Sequence, residues 1–176
     1  MFLRSARNAG FDFPAKSIDS GVQFVERCFL KQKDRQFFGY LEDYPTLCTR
    51  AMAGAGIVAL AHAGKHDSKE AVLSGDWLLK HNFSNYNDDE PLFGAQTHRD
   101  RYHYGAFHCS QAMFQLGGKY WDQFFPILVE ALLTNQQVDG SWPPELREKA
   151  YGSCYSTSLS ILSMSVPNQI LPIFQR

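Results

Sequence analysis

The sequence lacks several features that would point to particular classes of protein. Its 17 lysines and arginines nearly balance 18 aspartates and glutamates, which gives a formal net charge of −1. This balance argues against a basic surface of the kind that binds nucleic acid or anionic membranes. No apolar run approaches the roughly 18 residues of a transmembrane helix, and the N-terminal segment has no apolar stretch like that of a signal peptide. The sequence therefore predicts neither nucleic-acid binding nor a membrane span.

Cysteines are few and widely spaced. The four of them, Cys28, Cys48, Cys109 and Cys154, form no C-x-x-C pair. We expect buried free thiols rather than disulfides or metal ligands, as in proteins of a reducing compartment. The localisation is left open, because a longer N-terminus would have room for an export signal.

What the sequence does contain is enough apolar and aromatic material for a single domain over residues 1–176. Apolar residues make up 44% of the chain and aromatic residues 14%, which is typical of a globular protein and not of a disordered one. A domain of this size buries roughly 70% of its unfolded surface.

The chain repeats itself. Gly10, Gly64 and Gly118 lie 54 residues apart at the ends of similar apolar runs. Each copy contains two segments in which apolar residues recur three and four positions apart, as in helices. The first segments, at 17–31, 68–81 and 121–137, carry bulky side chains. The second segments, at 49–64, 103–118 and 153–166, are rich in Ala, Gly, Ser and Met. Ser17 and Ser68 are placed to cap two of the first segments. The sequence predicts an all-α fold of three helical hairpins plus a partial one.

The partial hairpin lies at residues 1–10, which match only the end of a second segment. We expect the chain to begin inside a repeat and so to be the C-terminal part of a longer protein. A capping helix that merely looks like a repeat is the alternative.

The loop that follows the segment at 121–137 has the most distinctive sequence. Gln136 and Gln137 are placed to bond the unpaired groups of a helix end, Asp139 and Gly140 favour a tight turn, and Trp142 can cover the junction with a large ring. This order, followed by a small-residue helix, resembles the repeat of the terpenoid cyclases and protein prenyltransferases, the prenyltransferase/squalene oxidase repeat. It is also similar to uncharacterised bacterial proteins with such repeats. Weaker forms of the loop are FFGYL at 37–41 and LFGAQ at 92–96.

The resemblance implies an α/α toroid in which the first helices lie outside and the second inside. It also implies that the glutamine side chain bonds to backbone near the next helix, under the tryptophan. Three hairpins and a fragment are too few to close a ring, so we expect an open arc or half-ring. Its concave face would bind a protein partner, a second copy of the chain or an isoprenoid-like ligand.

The catalytic motifs of that superfamily are not found. The nearest string to the Asp-x-Asp-Asp motif of squalene-type cyclases is Asn87-Asp88-Asp89-Glu90, which we interpret as a solvated loop. The Asp-x-Cys zinc motif of the prenyltransferases does not occur in the sequence. Catalytic residues are therefore left unassigned, and no metal or cofactor is expected.

The starts of the predicted inner helices carry the candidates for a ligand site, because the cavity of such a toroid lies there. Aromatic rings at these positions could stack on an apolar ligand or stabilise a carbocation, and a histidine could move a proton. For the aromatic candidates the alternative is core packing, and for Arg50 it is a salt bridge to a neighbouring repeat. Tyr44 occupies an equivalent position in the first copy. The candidates are Arg50, Tyr102, His103, Tyr104, His108, Tyr151 and Tyr155.

Three histidines at five-residue intervals, His98, His103 and His108, have the side-chain chemistry of zinc ligands, as do the nearby Asp100 and Cys109. Five residues along a helix rotate a side chain by about 500°, so His103 and His108 would point about 140° apart. A hydrogen-bonded helix start is the better interpretation.

Two functions fit these observations. The first is a non-enzymatic interaction or ligand-binding module. The alternative is an enzyme that acts on an isoprenoid or another apolar substrate.

Overall fold

A computed structural model describes residues 2–32, 35–42, 48–88, 92 and 100–170 of the chain. Regular structure in these ranges is helical, and pairing between extended residues is limited to two isolated bridges, at Phe29 with Phe38 and at Gln32 with Arg35. The prediction of an all-α fold is confirmed. The α-helices are α1 (Phe2–Asn8), α2 (Ala15–Arg27), α3 (Arg50–His62), α4 (Lys69–Lys80), α5 (Tyr102–Leu116), α6 (Lys119–Thr134) and α7 (Gly152–Met164).

The helices overlap the predicted segments, and two of them begin at a side-chain cap. The Thr49 hydroxyl accepts a hydrogen bond from the Met52 amide at the start of α3, and the Ser68 hydroxyl accepts one from Ala71 at the start of α4. Both caps satisfy an amide that would have no partner within the helix. The expectation that Ser17 caps α2 was wrong. That helix begins earlier, directly after Pro14, whose φ of −59° already suits a helix.

The small-residue helices form one layer of the fold. Helices α3, α5 and α7 lie side by side in chain order, so that α5 contacts both of the others. Helices α4 and α6 form a second layer, in which each contacts α5 and they contact one another. Helix α2 packs against α3. The two classes of helix that differ in composition thus occupy different layers.

Close contact between α3 and α5 depends on a glycine. A Cβ atom added at Gly54 would lie 2.9 Å from the carbonyl carbon of His108, well inside a normal non-bonded distance. Helix α7 meets α5 in a comparable way through a stripe of buried serines, Ser156, Ser160 and Ser163. Small side chains therefore set the spacing along the row α3–α5–α7.

Glycines also end the inner helices and return the chain to the second layer. Gly64 follows α3 with a φ of 77°, and Gly117 follows α5 with a φ of 68°. These left-handed conformations cost glycine no Cβ clash and stop a helix. Gly64 and Gly117 thus end α3 and α5, and Gly118, which shares the 54-residue spacing, follows directly before α6.

The core lies between the two layers and is filled by large aromatic side chains. Phe37, Phe83 and Phe124 are fully buried, and the Phe37 ring stacks on Trp77 at 3.9 Å between centroids. Helices α1 and α2, by contrast, contribute no buried residue. Within the described ranges, no helix combines the length and apolar character that crossing a bilayer requires.

Three of the four cysteines are buried free thiols, as expected, whereas Cys154 is exposed. The exposure of Cys154 corrects that expectation. Its side chain lies on the side of α7 away from the serine stripe that packs on α5.

Candidate functional site

The starts of α3 and α5 are joined by a buried ion pair. Arg50 is the first residue of α3, and its guanidinium Nε donates to the Asp100 carboxylate. The Arg50 backbone amide donates to the other carboxylate oxygen at 3.1 Å. Only 3% of Arg50 and 2% of Asp100 is exposed to solvent. The sequence left a salt bridge as the alternative to a ligand contact for Arg50, and an ion pair is what the structure shows.

The rest of the Arg50 guanidinium is also in contact with protein. Its two terminal nitrogens donate to the backbone carbonyls of Asn82 at 2.7 Å and Asp88 at 3.2 Å. Its central carbon lies 3.9 Å from the centroid of the Phe83 ring, which is a cation–π contact. Arg50 therefore holds the segment after α4 against the starts of both inner helices.

A second buried pair joins the starts of α5 and α7. His103 Nδ1 lies 2.9 Å from the Glu145 carboxylate, and the backbone amide of His103 donates to the other oxygen of that carboxylate at 2.8 Å. On its opposite side, His103 Nε2 lies 3.3 Å from the Tyr86 hydroxyl. That hydroxyl donates to the Pro143 carbonyl at 3.1 Å. The histidine thus lies in a chain of polar contacts that links three segments.

Tyr102 and a surface pair complete these ties. The Tyr102 hydroxyl donates to the Phe83 carbonyl at 2.8 Å, and the ring is fully buried. Arg101, on the surface, forms an ion pair of 3.1 Å with the largely buried Glu148. Arg50, at the start of α3, therefore has an acidic partner that precedes α5. Arg101 and His103, at the start of α5, have acidic partners that precede α7.

Burial is the largest single influence on the pKa of three groups in this cluster, but it does not set the direction of the shift for all of them. Burial raises the pKa of Asp100, and the Arg50 charge and hydrogen bonds oppose that rise in part. Burial, followed by the Glu145 charge, raises the pKa of Tyr86 to about 12. For Glu145, burial alone would raise the pKa, but the hydrogen bonds and charge of His103 outweigh it and lower the pKa. Glu145 is therefore held in its ionised form.

The other four candidates form two ring pairs that are partly open to solvent. Tyr104 and His108, one turn apart on α5, have ring centroids 4.5 Å apart. Tyr151 and Tyr155, at the start of α7, have centroids 5.3 Å apart. Burial lowers the pKa of His108. Burial, followed by the Glu148 charge, raises the pKa of Tyr155 to about 12. The seven candidates thus divide into a buried set, Arg50, Tyr102 and His103, a half-buried aromatic set, Tyr104, His108 and Tyr155, and the exposed Tyr151.

The loop with the distinctive sequence connects α6 to α7 through its tryptophan. Trp142 is buried, and its indole N–H donates to the Leu132 carbonyl near the end of α6 at 2.7 Å. Its backbone amide donates to the Thr157 hydroxyl on α7 at 3.0 Å, and its carbonyl accepts a hydrogen bond from Ser156 at 2.5 Å. Trp142 therefore fixes the two helices to one another.

The glutamines of that loop have a more local role than the resemblance implied. The Gln136 side chain donates to the Gly140 carbonyl at 2.9 Å. The Gln137 backbone N–H donates to the Ser141 carbonyl at 2.8 Å. Asp139 accepts hydrogen bonds from the amide and the hydroxyl of Ser141. These bonds close the turn on itself.

Two of the three histidines at five-residue intervals are engaged with other side chains. His103 contacts Glu145 and Tyr86, while the His108 ring contacts Tyr104 and Phe107. The third, His98, lies outside the described residues, as does Tyr44. Among the described residues no group of three or more His, Cys, Asp or Glu side chains is arranged to hold a metal ion.

Sequence reasoning missed most of the acidic and hydroxyl partners in these ties. The histidine spacing pointed to Asp100 only as a metal ligand, and no motif pointed to Tyr86, Glu145 or Glu148. A signal was present in the sequence, because an acidic residue stands shortly before each of the helices α5 and α7.

Comparison of the chain with protein-family models, curated proteins and solved structures gives no match.

Proposed function

We propose that the chain is a non-catalytic interaction module built from helical repeats of the terpenoid cyclase and prenyltransferase type. The observation that carries this proposal is the burial of Arg50, Tyr102 and His103. In a toroid with a working cavity, side chains at these positions would be available to a ligand. Here they are used to tie one segment to the next, and a general acid or base must instead reach its substrate.

The surface proposed for interaction is the exposed face of α7, formed by Tyr151, Cys154, Ser158, Ile161 and Leu162. Helix α7 is the last of its row in the described part of the chain and packs against α5, while Cys154, Ser158 and Ile161 on this helix are exposed. No charged residue occurs from Gly152 to Ile170. A helix face that is meant for water normally carries charges, so this face suits a partner.

The partner that best fits this face is a second copy of the chain. Two identical α7 faces carry no like charges that would repel one another. Their small residues, Cys154 and Ser158, would let the helices approach closely, as Gly54 does between α3 and α5. A two-fold arrangement of this kind places the same patch of each copy against the other.

Sedimentation velocity over a range of protein concentrations tests this proposal. We expect the wild-type chain to dimerise and the double variant Ile161→Glu, Leu162→Glu to remain monomeric, because each substitution would bury a charge in the contact. Leu133→Glu, at an exposed leucine of α6, is the matched control and should dimerise like the wild type. A chain that is monomeric at every concentration would contradict the second copy as partner. Conversion of an isoprenoid diphosphate by the purified chain would contradict the non-catalytic function.

A second candidate function is favoured by the half-buried aromatic set. Tyr104, His108 and Tyr155 present partly exposed rings at the starts of α5 and α7, which could stack on an isoprenoid or similar apolar molecule. Solvent extraction of the purified protein followed by mass spectrometry tests it. A polyprenoid that is retained by the wild type and lost from a Tyr155→Ala variant would support this function. Extracts without any such molecule would contradict it.

A further inference from the structure

A groove lies at the other end of the helix row, between α1, α2 and the C-terminal half of α3. Its volume is about 720 Å³, which is within the usual range for small-molecule sites. Apolar side chains form its walls; they are Leu3, Ile18, Val22, Val25 and Ala59. The groove is distant in the fold from the exposed face of α7, so a ligand bound in it would be independent of the proposed function.

The groove is not filled by side chains of the helices around it. Neither α1 nor α2 contributes a buried side chain. Gly21 lies on α2 in the groove wall, and a Cβ atom added there would meet nothing within 4 Å. Helix α1 is held at the rim by the Arg4 guanidinium, which donates to the His62 carbonyl at the end of α3 at 3.0 Å. The space is thus bounded by α1, α2 and α3 without being filled.

The charge of the groove has one sign. Arg4 and Arg7, one turn apart on α1, both line it, and no carboxylate is part of the lining. Among the described residues neither arginine has an acidic group within ion-pair distance. A guanidinium presents several N–H donors in a planar fork that matches a carboxylate or phosphate. The arginines are therefore placed to receive an anion at the edge of an apolar surface.

We propose that this groove binds an amphiphile with a single alkyl chain and an anionic head group. The alkyl chain of the ligand would lie along Ile18, Val22 and Val25, where burial of its CH₂ groups would stabilise binding. The head group, a carboxylate or a phosphate, would be held by Arg7 with support from Arg4. A ligand with both parts is required. A small anion has no apolar part to bury against the walls, and the arginines repel a cationic head group.

Isothermal titration calorimetry with dodecanoate and dodecyl phosphate, each below its micelle concentration, tests this proposal. We expect both to bind the wild-type chain. Acetate and inorganic phosphate supply the head group without the chain, and dodecyltrimethylammonium supplies the chain with the opposite charge. We expect these three compounds to bind weakly or not at all.

Variants locate the binding. We expect Arg7→Glu to weaken dodecanoate binding by at least about tenfold, since a hydrogen bond to a charged group contributes about 1.5–3 kcal/mol. Gly21→Trp should abolish binding by filling the groove, and the open space at Gly21 lets the chain fold with it. Arg147→Glu, at an exposed arginine away from the groove, should bind like the wild type. The proposal is overturned if dodecanoate does not bind, if Gly21→Trp binds it normally, or if the cationic amphiphile binds equally well.

Discussion

Arg50 and Asp100 are 50 residues apart in the sequence and form a buried ion pair. Arg50 begins α3, and Asp100 stands two residues before α5. His103 and Glu145 repeat this relationship one helix later, with a separation of 42 residues. In each case a basic group at or near the start of one helix of the row α3–α5–α7 bonds to an acidic group that precedes the next helix of the row. These pairs join α3 to the segment before α5, and α5 to the segment before α7.

The first prediction concerns the loss of one partner of the Arg50 pair. Asp100→Ala would leave the Arg50 guanidinium buried without its counter-ion, and such changes cost about 3–5 kcal/mol. We expect a loss of this size in the free energy of unfolding, measured with urea. The control is Glu42→Ala, which removes the exposed ion pair between Arg27 and Glu42 and should cost at most about 1 kcal/mol. Equal effects of the two substitutions would show that burial of the Arg50 pair has no special role.

The second prediction concerns acid. The pKa of Glu145 is lowered in the folded chain from its usual 4.5, because the bonds and charge of His103 outweigh burial. A carboxyl group with a lowered pKa stabilises the fold above its unfolded pKa, and that contribution is lost as the pH falls through the folded value. We expect Glu145→Gln to be less stable than the wild type at neutral pH and to lose less further stability below about pH 4.5.

The control for the acid experiment is Glu130→Gln, which alters an exposed glutamate of α6. It should show the same dependence of unfolding free energy on pH as the wild type. If Glu145→Gln follows the wild type as closely as this control does, the pair with His103 does not contribute to acid stability.

The helices could be predicted from the sequence, and the ties between them could not. Periodic apolar residues mark α4 and α6, and repeated glycines mark where α3 and α5 end. These signals are local, because a helix face and a helix stop each depend on a few neighbouring residues. The composition of the segments, bulky or small, also separates α4 and α6 from α3, α5 and α7, which lie in a different layer.

The buried pairs depend instead on distances across the fold. An arginine at the start of a helix is compatible with a ligand, with solvent or with a salt bridge, and the sequence alone does not distinguish them. Arg50 meets Asp100 because the fold brings the start of α3 beside the residue two positions before α5, and Gly54 is a position at which these two helices approach closely. The same holds for Trp142: its partner Leu132 lies 10 residues earlier in the chain and its partner Thr157 lies 15 residues later, and both become neighbours only after packing.

The third prediction concerns thiol reactivity. Burial raises the pKa of Cys28, Cys48 and Cys109, which lowers the fraction present as thiolate, while Cys154 is exposed. Because the thiolate is the reactive form, we expect a single rapidly labelled cysteine in the native chain, counted by mass spectrometry after maleimide treatment. Cys154→Ser should remove this label, and urea should expose the other three thiols. Rapid native labelling of Cys109 would contradict its burial.

The fourth prediction separates the two contributions of Trp142. Trp142→Phe keeps a large ring but loses the N–H bond to Leu132, and we expect a cost of about 0.5–1.5 kcal/mol. Trp142→Ala also removes the buried ring and should cost about 3–5 kcal/mol. Val138→Ala, at a fully exposed residue of the same loop, should change the unfolding free energy by less than about 0.5 kcal/mol. Comparable losses in the Phe and Ala variants would mean that the hydrogen bond, and not the ring, joins α6 to α7.

The last prediction uses two helical glycines that differ in their surroundings. Replacing glycine by alanine inside a helix gains about 0.5–1 kcal/mol of helix stability. At Gly21 the new Cβ meets nothing within 4 Å, so Gly21→Ala should stabilise the chain by about that amount. At Gly54 the new Cβ would lie 2.9 Å from the His108 backbone, which has no flexible end that could move aside. Overpacking of this kind costs about 1–3 kcal/mol, so Gly54→Ala should destabilise the chain in the same urea titration. Stabilisation by both substitutions would show that α3 and α5 can separate at little cost. The close packing at Gly54 would then not be what holds these two helices together.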